Sequence, residues 1–305
     1  MISKIFVSIA SYRDPDLINT VKSCYENAKN RDEIFFSIFS QAEDWEHPDL
    51  SFVPSSQIDY KNCHWSVTKG TCWARKATSE NIIAEYFLQI DSHSRFIKNW
   101  DESIVNSYKK SQTYWGDEII LTNYPDSYEI DWSANPPIDI YTSNLSNDLW
   151  SLRPFWDTKS KMVQAEWYKT INKNFGDEIY FISANSLFTT SDIMKKIPYD
   201  ENLYFTGEEP SLAIRAYTRS IKIISPAIKY MYTNFNRDNG RRKFHWIDDP
   251  EWWKLNKASY IRLSKIMTGD KEFGIYGIDS LDLFDEYQQK AGINLIEKKD
   301  EIASI

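Results

Sequence analysis

Phe87-Leu88-Gln89-Ile90-Asp91-Ser92-His93 is the stretch on which the fold of this chain turns: an apolar segment of strand character runs into an Asp-x-His pair. In an extended segment residues i and i+2 point to one side, so Asp91 and His93 can reach a single ion if the strand geometry continues past Ile90. A carboxylate oxygen and a neutral imidazole nitrogen suit Mn²⁺, which accepts mixed oxygen and nitrogen ligands and can also bridge two phosphates. Asp-x-His is a short motif that chance also supplies. A surface turn, with Asp91 capping the next helix and His93 solvated, fits the same residues, so the surrounding sequence has to decide.

Upstream, residues 4–10 (Lys-Ile-Phe-Val-Ser-Ile-Ala) are nearly continuous apolar, the pattern of a parallel strand covered on both faces. A helix is predicted from Pro15 to Ala28, with Asp14 as N-cap and Leu17, Val21, Cys24, Tyr25 and Ala28 on one face. Residues 33–39 read as a second strand, which completes a β-α-β unit. Such units place loops at the carboxyl ends of their strands, where ligands bind, and Ser11-Tyr12-Arg13-Asp14 lies at one of these ends. A further helix is expected from Trp65 to Tyr86, carrying Ala74, Arg75 and Ala77 and feeding the strand that ends at Asp91.

Downstream, 96–109 reads as helix and 118–122 as strand, while 124–157, rich in Pro, Asn, Asp and Ser, reads as a long connection. A second block brings a strand at 179–182. It then brings Phe205-Thr206-Gly207-Glu208-Glu209-Pro210, where Pro210 opens a helix through Tyr217 and the two glutamates sit at its positive end. Capping and dipole complementarity are by themselves sufficient reason for two glutamates there. The tail from about Ser264 holds an amphipathic helix at 281–290 and closes in a charged, frayed segment. One catalytic unit over 1–263, with halves at about 1–125 and 126–263, and a helical tail over 264–305 is the expected organisation.

With 305 residues the chain can bury a full core, and 42% hydrophobic with 26% charged residues fits a soluble globular protein. The sequence has no membrane-spanning apolar run, and Met1-Ile2-Ser3-Lys4-Ile5 leads into a strand rather than a signal peptide, so a cytoplasmic location is expected. Cys24, Cys63 and Cys72 form no disulfide or zinc pattern, in keeping with a reducing compartment. A net charge of -8 argues against nucleic acid as a partner. Within this acidic chain Arg237, Arg241, Arg242 and Lys243 cluster among aromatic residues. That cluster reads either as a lid that meets an anion or as a loop of solvated charges.

Gly-x-Gly-x-x-Gly, P-loop, His-Glu-x-x-His and Gly-x-Ser-x-Gly motifs are all missing from the sequence. What remains is an ordered set of blocks: Ile5-Phe-Val-Ser-Ile-Ala-Ser-Tyr-Arg-Asp-Pro15, Gly70-Thr-Cys-Trp-Ala-Arg75, Leu88-Gln-Ile-Asp-Ser-His-Ser-Arg-Phe96 with Trp100-Asp101, Ile197-Pro-Tyr-Asp200 and Leu203-Tyr-Phe-Thr-Gly-Glu-Glu209. In these blocks the chain resembles the hydroxyproline-directed N-acetylglucosaminyltransferase family in its bacterial form. Five blocks in order across residues 5–250 are far more specific than Asp-x-His alone.

The resemblance implies an α/β glycosyltransferase-A fold, a Rossmann-like mixed sheet flanked by helices with a small helical C-terminal appendage. It implies retaining transfer from UDP-N-acetylglucosamine or a similar UDP-sugar, with Mn²⁺ or Mg²⁺, to a hydroxyl of a glycan or protein acceptor. Carried over by residue, Ala10, Ser11, Tyr12, Arg13, Arg75, Gln89, Asp91, Ser92 and Arg241 would meet the donor. Asp91 and His93 would bind the metal, and Glu208 and Glu209 would face the sugar or the acceptor. The chain departs from the family pattern at Tyr230, where relatives carry a histidine, and at Ser220-Ile221-Lys222, where they carry Gly-Tyr-Asp. His245 in Phe244-His245-Trp246 is the candidate replacement as third ligand. The Tyr230 departure leaves a catalytically silent sugar-nucleotide or glycan-binding module as the alternative function.

Overall fold

The structure is a computed structural model that describes residues 3–141, 148–236, 241–267, 269 and 271–303. In chain order its elements are β1 (Ile5–Tyr12), α1 (Leu17–Asn27), β2 (Ile34–Ala42), β3 (Ile58–His64), α2 (Thr71–Thr78), β4 (Tyr86–Asp91), β5 (Ser94–Phe96), α3 (Trp100–Trp115) and β6 (Ile119–Thr122). There follow β7 (Asp126–Asp131), β8 (Ile138–Tyr141), β9 (Trp150–Asp157), β10 (Met162–Lys169), β11 (Ser186–Thr190), α4 (Ser191–Lys196) and α5 (Glu208–Tyr217). The last elements are β12 (Lys222–Ile224), β13 (Met231–Thr233), α6 (His245–Asp248), α7 (Trp252–Ile266), α8 (Leu281–Ala291) and α9 (Leu295–Ala303).

Seven strands form the main sheet in the order β12-β6-β11-β4-β1-β2-β3. The neighbours of β1 run parallel to it, whereas β11 is antiparallel to both β4 and β6. Strand alternation sends side chains to opposite faces. Ile5, Val7 and Ile9 join a core with Leu17, Val21 and Cys24 of α1 and Trp100, Ile104 and Tyr108 of α3. Phe6 and Phe87 join the other core, with Leu212, Ala213 and Ala216 of α5. The sheet is thus covered on both faces, which is why its central strands carry almost no charged residues.

From β1 the chain crosses to β2 and β3 on one side and then returns to β4 on the other. Such a switch point opens a crevice at the carboxyl ends of the two strands. Ala10 of β1 pairs in register with Asp91 of β4 at that place.

Several elements differ from the sequence reading. The predicted helix over 65–86 is confined to α2, because β3 and a single turn at Trp65–Val67 precede it. Helix α1 begins at Leu17 with Asp16 at its N-cap position, and α3 runs from Trp100 to Trp115 rather than 96–109. The apolar run 179–182 is no strand: Ile179, Phe181 and Ile182 are buried, yet the ladder strand is β11, a few residues later. The long connection contains β7 to β9, which pair outside the main sheet as a four-stranded sheet β5-β13-β7-β8 and a ribbon β10-β9. The tail closes in α9 rather than a frayed end, and Phe284, Tyr287, Leu295 and Ile302 belong to the same core as α5. Among the described residues no helix is long and apolar enough to cross a membrane.

Gly70 locks α2 against the segment that enters α5. Its φ is +101°, and a Cβ there would lie 2.3 Å from the Tyr204 carbonyl oxygen, the atom that accepts the Thr71 N–H at 2.8 Å. Gly70→Ala therefore adds backbone strain to a backbone clash. A loss of about 2 kcal/mol or more is expected, read as a fall in Tm of roughly 4 °C or more in a thermal melt.

Candidate active site

The crevice between β1 and β4 opens into a cleft of about 1040 Å³. Its walls come from the β1 and β4 ends, α2, the first turn of α5, β10, and the segment from Asn234 to Trp246, whose residues 237–240, Arg237 among them, lie outside the described residues.

At its floor lie Asp91, the last residue of β4, and His93, in the bend that leads to β5. His93 Nε2 stands 3.4 Å from Asp91 Oδ2. On its other side His93 Nδ1 is 2.8 Å from Asp14 Oδ2, an oxygen that also accepts the Ser92 hydroxyl at 2.8 Å. The turn carrying the pair is fixed by Thr20 of α1, whose hydroxyl donates to the Ser92 carbonyl and accepts the Ser94 N–H, each at 2.8 Å. Asn234, at the end of β13, bonds its N–H to the His93 carbonyl at 3.0 Å. Burial opposes the Asp91 charge, but the hydrogen bond and charge of His93, with Arg75 and Arg242, hold this carboxyl well below the usual range. Burial and Arg242 pull His93 down, yet Asp14 and Asp91 outweigh them and raise it.

Arg75, buried on α2, joins the β4 end to the α5 start. Its Nη2 lies 2.7 Å from Asp91 Oδ1 and its Nη1 bonds Glu208 Oε1. Burial works against this charge, but Glu208, Tyr199 and Asp91 overcome it and leave the guanidinium above its ordinary value. Glu208 is thereby committed to Arg75. Glu209, partly open to the cleft, accepts the Ala184 N–H at 3.0 Å. Burial pushes it up to about 7, against the Ala184 hydrogen bond and helped by the Glu208 charge.

His245 begins α6 and lines the same cleft. Its ring meets Tyr12 and Tyr204 edge-on, its Nδ1 shares a hydrogen bond with the Tyr204 hydroxyl, and its buried Nε2 has no partner among the described residues. Burial takes its pKa down to about 4 against Asp249 and Asp248, so it is a neutral imidazole at neutral pH.

Of the residues the sequence singled out, Ala10, Tyr12, Arg75, Asp91, Ser92, His93, Glu208, Glu209 and His245 share the cleft, and Ser11, Arg13, Gln89 and Arg241 do not line it. Ser11 alternates to the far side of the strand from Ala10 and Tyr12, and Arg13 follows the end of β1 with a φ of +46°. Arg13 forms a two-pronged pair with Glu46 at 2.9 and 3.0 Å and reaches Asp248 at 3.1 Å. Gln89 is fully buried and donates to the Ala184 carbonyl at 2.6 Å. Arg241 lies over the Trp132 ring at 4.5 Å, and it is Arg242 and Lys243 that line the cleft.

Asp14 is the site residue that sequence reasoning assigned elsewhere. The expected helix cap is instead the partner of His93, and the Asp-Pro step that resembles a cap signal hides this role.

Metal-binding imidazoles commonly hand their second ring nitrogen to a carboxylate, which is the relation of His93 to Asp14. Asp91 Oδ2 and His93 Nε2 at 3.4 Å are near enough for both to reach one ion at about 2.1 Å. The residues therefore fit a divalent cation as a two-ligand set. Among the described residues no group of three or more His, Cys, Asp or Glu side chains is arranged to hold one.

A family model described as Glycosyltransferase (GlcNAc) matches residues 4–53 and 49–275. No curated protein matches the chain. Among solved structures it is similar to GalNAc-T7 with UDP, GalNAc and Mn²⁺, at a TM-score of 0.60 and 12% identity over 99% of this chain and 57% of that one. The chain thus spans little more than half of that protein. Two structures of S. aureus TarS 1-349, one in complex with UDP, share 12% identity over 98% of this chain and 81% and 80% of theirs, with TM-scores of 0.48 and 0.49. The architecture is the glycosyltransferase-A fold.

Glu209 gives a pH test of this geometry. Its folded pKa lies above the ordinary carboxylate value, so the folded chain holds an extra proton between about pH 4.5 and 7 and loses stability as pH rises through that window. Melting curves of wild type and Glu209→Gln from pH 5 to 8 should show the variant gaining relative stability with pH. The gain should be below about 3 kcal/mol, because cleft water reaches the side chain. Parallel curves would contradict the buried placement of this carboxyl.

Proposed function

The chain belongs to the Glycosyltransferase (GlcNAc) family, and on that premise we propose that it moves N-acetylglucosamine from UDP-N-acetylglucosamine to a hydroxyl of a glycan or protein acceptor, with retention at the anomeric carbon. The observation that carries this reading is the Asp14–His93–Asp91 row at the β1/β4 switch point, beside Arg75. It agrees with the sequence blocks that resemble the hydroxyproline-directed group.

In the proposal Asp91 and His93 hold a divalent ion, with His245 Nε2 as the further imidazole nitrogen of the cleft. When bound, such an ion neutralises a diphosphate and stabilises the charge of a departing nucleotide. The protein's own groups prepare the rest. Asp14 fixes the His93 ring so that Nε2 faces Asp91. Arg75 keeps Asp91 ionised and oriented while Glu208 balances the second prong of the guanidinium. Arg242 and Lys243 bring positive charge to the cleft wall, where phosphate oxygens are favoured.

In the retaining step the acceptor hydroxyl approaches the anomeric carbon on the side from which UDP leaves. The new oxygen–carbon bond forms as the carbon–oxygen bond to phosphate breaks, and the departing phosphate oxygen takes the hydroxyl proton. Glu209, the carboxyl of the pair left free by Arg75, orients that hydroxyl. A second reading, a sugar-nucleotide-binding module without turnover, is favoured by one observation: among the described residues no group of three or more His, Cys, Asp or Glu side chains is arranged to hold an ion.

Two substitutions test the proposal with UDP-N-acetylglucosamine, Mn²⁺ and a mixture of acceptors. Asp91→Asn should lower UDP release by about 100-fold or more, and chelation should abolish it until Mn²⁺ is restored. Release unchanged by either treatment removes the metal from the scheme, and UDP binding without release in wild type favours the silent module. Asp14→Asn should weaken Mn²⁺ affinity by roughly 10- to 100-fold in a titration. Equal affinities would reduce Asp14 to a structural partner.

A further inference from the structure

The same cleft has a wall that the donor reading leaves unused. It is supplied by β10 of the ribbon, by β7 and by the residues that follow β6 and β13. Met162 and Val163 of β10 are buried and anchor the ribbon to the core, while Trp167, on the same strand and lining the same cleft, is 66% exposed. Among the described residues no other aromatic ring packs against it. Phe235 is 45% exposed and lines the cleft too, with Tyr124 edge-on to it at 6.1 Å. Tyr124 feels the charge of Glu209, which ties this wall to the carboxyl proposed to orient the acceptor.

An exposed indole on a scaffold held by buried neighbours is a rigid aromatic platform, the kind of residue that dominates binding energy when its face is covered. Beside the rings the cleft is also lined by Gln164, Asn236 and Glu129, two amides and a carboxylate. Planar amides and carboxylates match the paired donors and acceptors of neighbouring sugar hydroxyls, while the C–H face of a pyranose ring covers an indole. A peptide acceptor adding a strand to the edge of β10 that is unpaired among the described residues would be held mainly by backbone hydrogen bonds and would leave the Trp167 ring exposed.

We infer that this wall is the acceptor subsite and that the acceptor it takes is a carbohydrate, with one pyranose ring seated on Trp167. The inference rests on the transferase reading above and deepens it by naming the acceptor class.

The test uses the full chain with Mn²⁺ and UDP in saturation-transfer NMR. The probes are the β-methyl glycosides of glucose, galactose and N-acetylglucosamine, their β-linked disaccharides, and a hydroxyproline- and serine-containing peptide. At least one glycoside should receive saturation in wild type, and its affinity should fall about tenfold in Trp167→Ala, a change of about 1.4 kcal/mol. Affinity should recover in Trp167→Tyr and stay unchanged in Trp253→Ala, which removes a 52% exposed tryptophan of α7 outside the cleft. Calorimetric UDP binding should be equal in all four proteins. The inference is overturned if no glycoside responds, if Trp167→Ala binds as well as wild type, or if the peptide alone responds. Failure of wild type to bind UDP would instead overturn the donor reading, so the two failures are separable.

Discussion

A single buried cation holds the candidate site together. Arg75 spans from Asp91, at the end of β4, to Glu208, at the start of α5, and itself projects from α2. Two consecutive elements, α2 and β4, are thereby fastened at one point to α5, whose Glu208 lies 133 residues beyond Arg75. Charges taken from water are costly unless paired, so this arrangement depends on all three partners. Removing the guanidinium would leave two carboxylates facing each other in a buried place. The glycine at position 70 serves the same end, because only a residue without a Cβ lets α2 approach the Tyr204 backbone closely enough for Arg75 to reach both carboxylates.

With Arg75 in place, the division of labour among the acidic groups follows from geometry. Glu208 is neutralised, Asp91 keeps its charge and one oxygen toward His93, and Asp14 holds that imidazole from behind. Glu209 is the carboxyl without a cationic partner of its own, and its raised pKa expresses that. The same crevice is roofed by the segment from Arg242 to Trp246. That segment is tied down at Asp248 by the Tyr12 hydroxyl at 3.0 Å and by Arg13 at 3.1 Å. Arg13 thus acts on the roof of the cleft rather than within it.

The central fold was legible because its strands are buried on both faces. β1, β2, β4 and β6 are short apolar runs, and no other placement satisfies them. β3 was missed because it is the edge strand, half-exposed and carrying Asp59, Lys61 and Asn62. The strands β7 to β9 were hidden for a similar reason, since their Pro, Asp and Ser residues lie in strands paired outside the main sheet. Residues 179–182 misled in the opposite direction. Their apolar side chains fill the core without a ladder, with Ile179 bonding instead to the Ile223 carbonyl. At the site, the Asp-x-His spacing raised Asp91 and His93 as candidates, and the ordered blocks around them singled them out. Strand alternation would also have separated Ala10 and Tyr12 from Ser11. Nothing local could link Asp14 to a histidine 79 residues away, or choose Arg242 over Arg241 in one basic run.

The account stands on one claim, that Asp91 and His93 together grip a divalent ion at the diphosphate of a bound nucleotide. A crystal structure of the chain with UDP and Mn²⁺, recorded at a wavelength where manganese scatters anomalously, addresses it most directly. The account predicts an anomalous peak at about 2.2 Å from both Asp91 and His93, in contact with phosphate oxygens. UDP bound in the cleft with no peak there, its diphosphate neutralised by Arg242 and Lys243 alone, would contradict it.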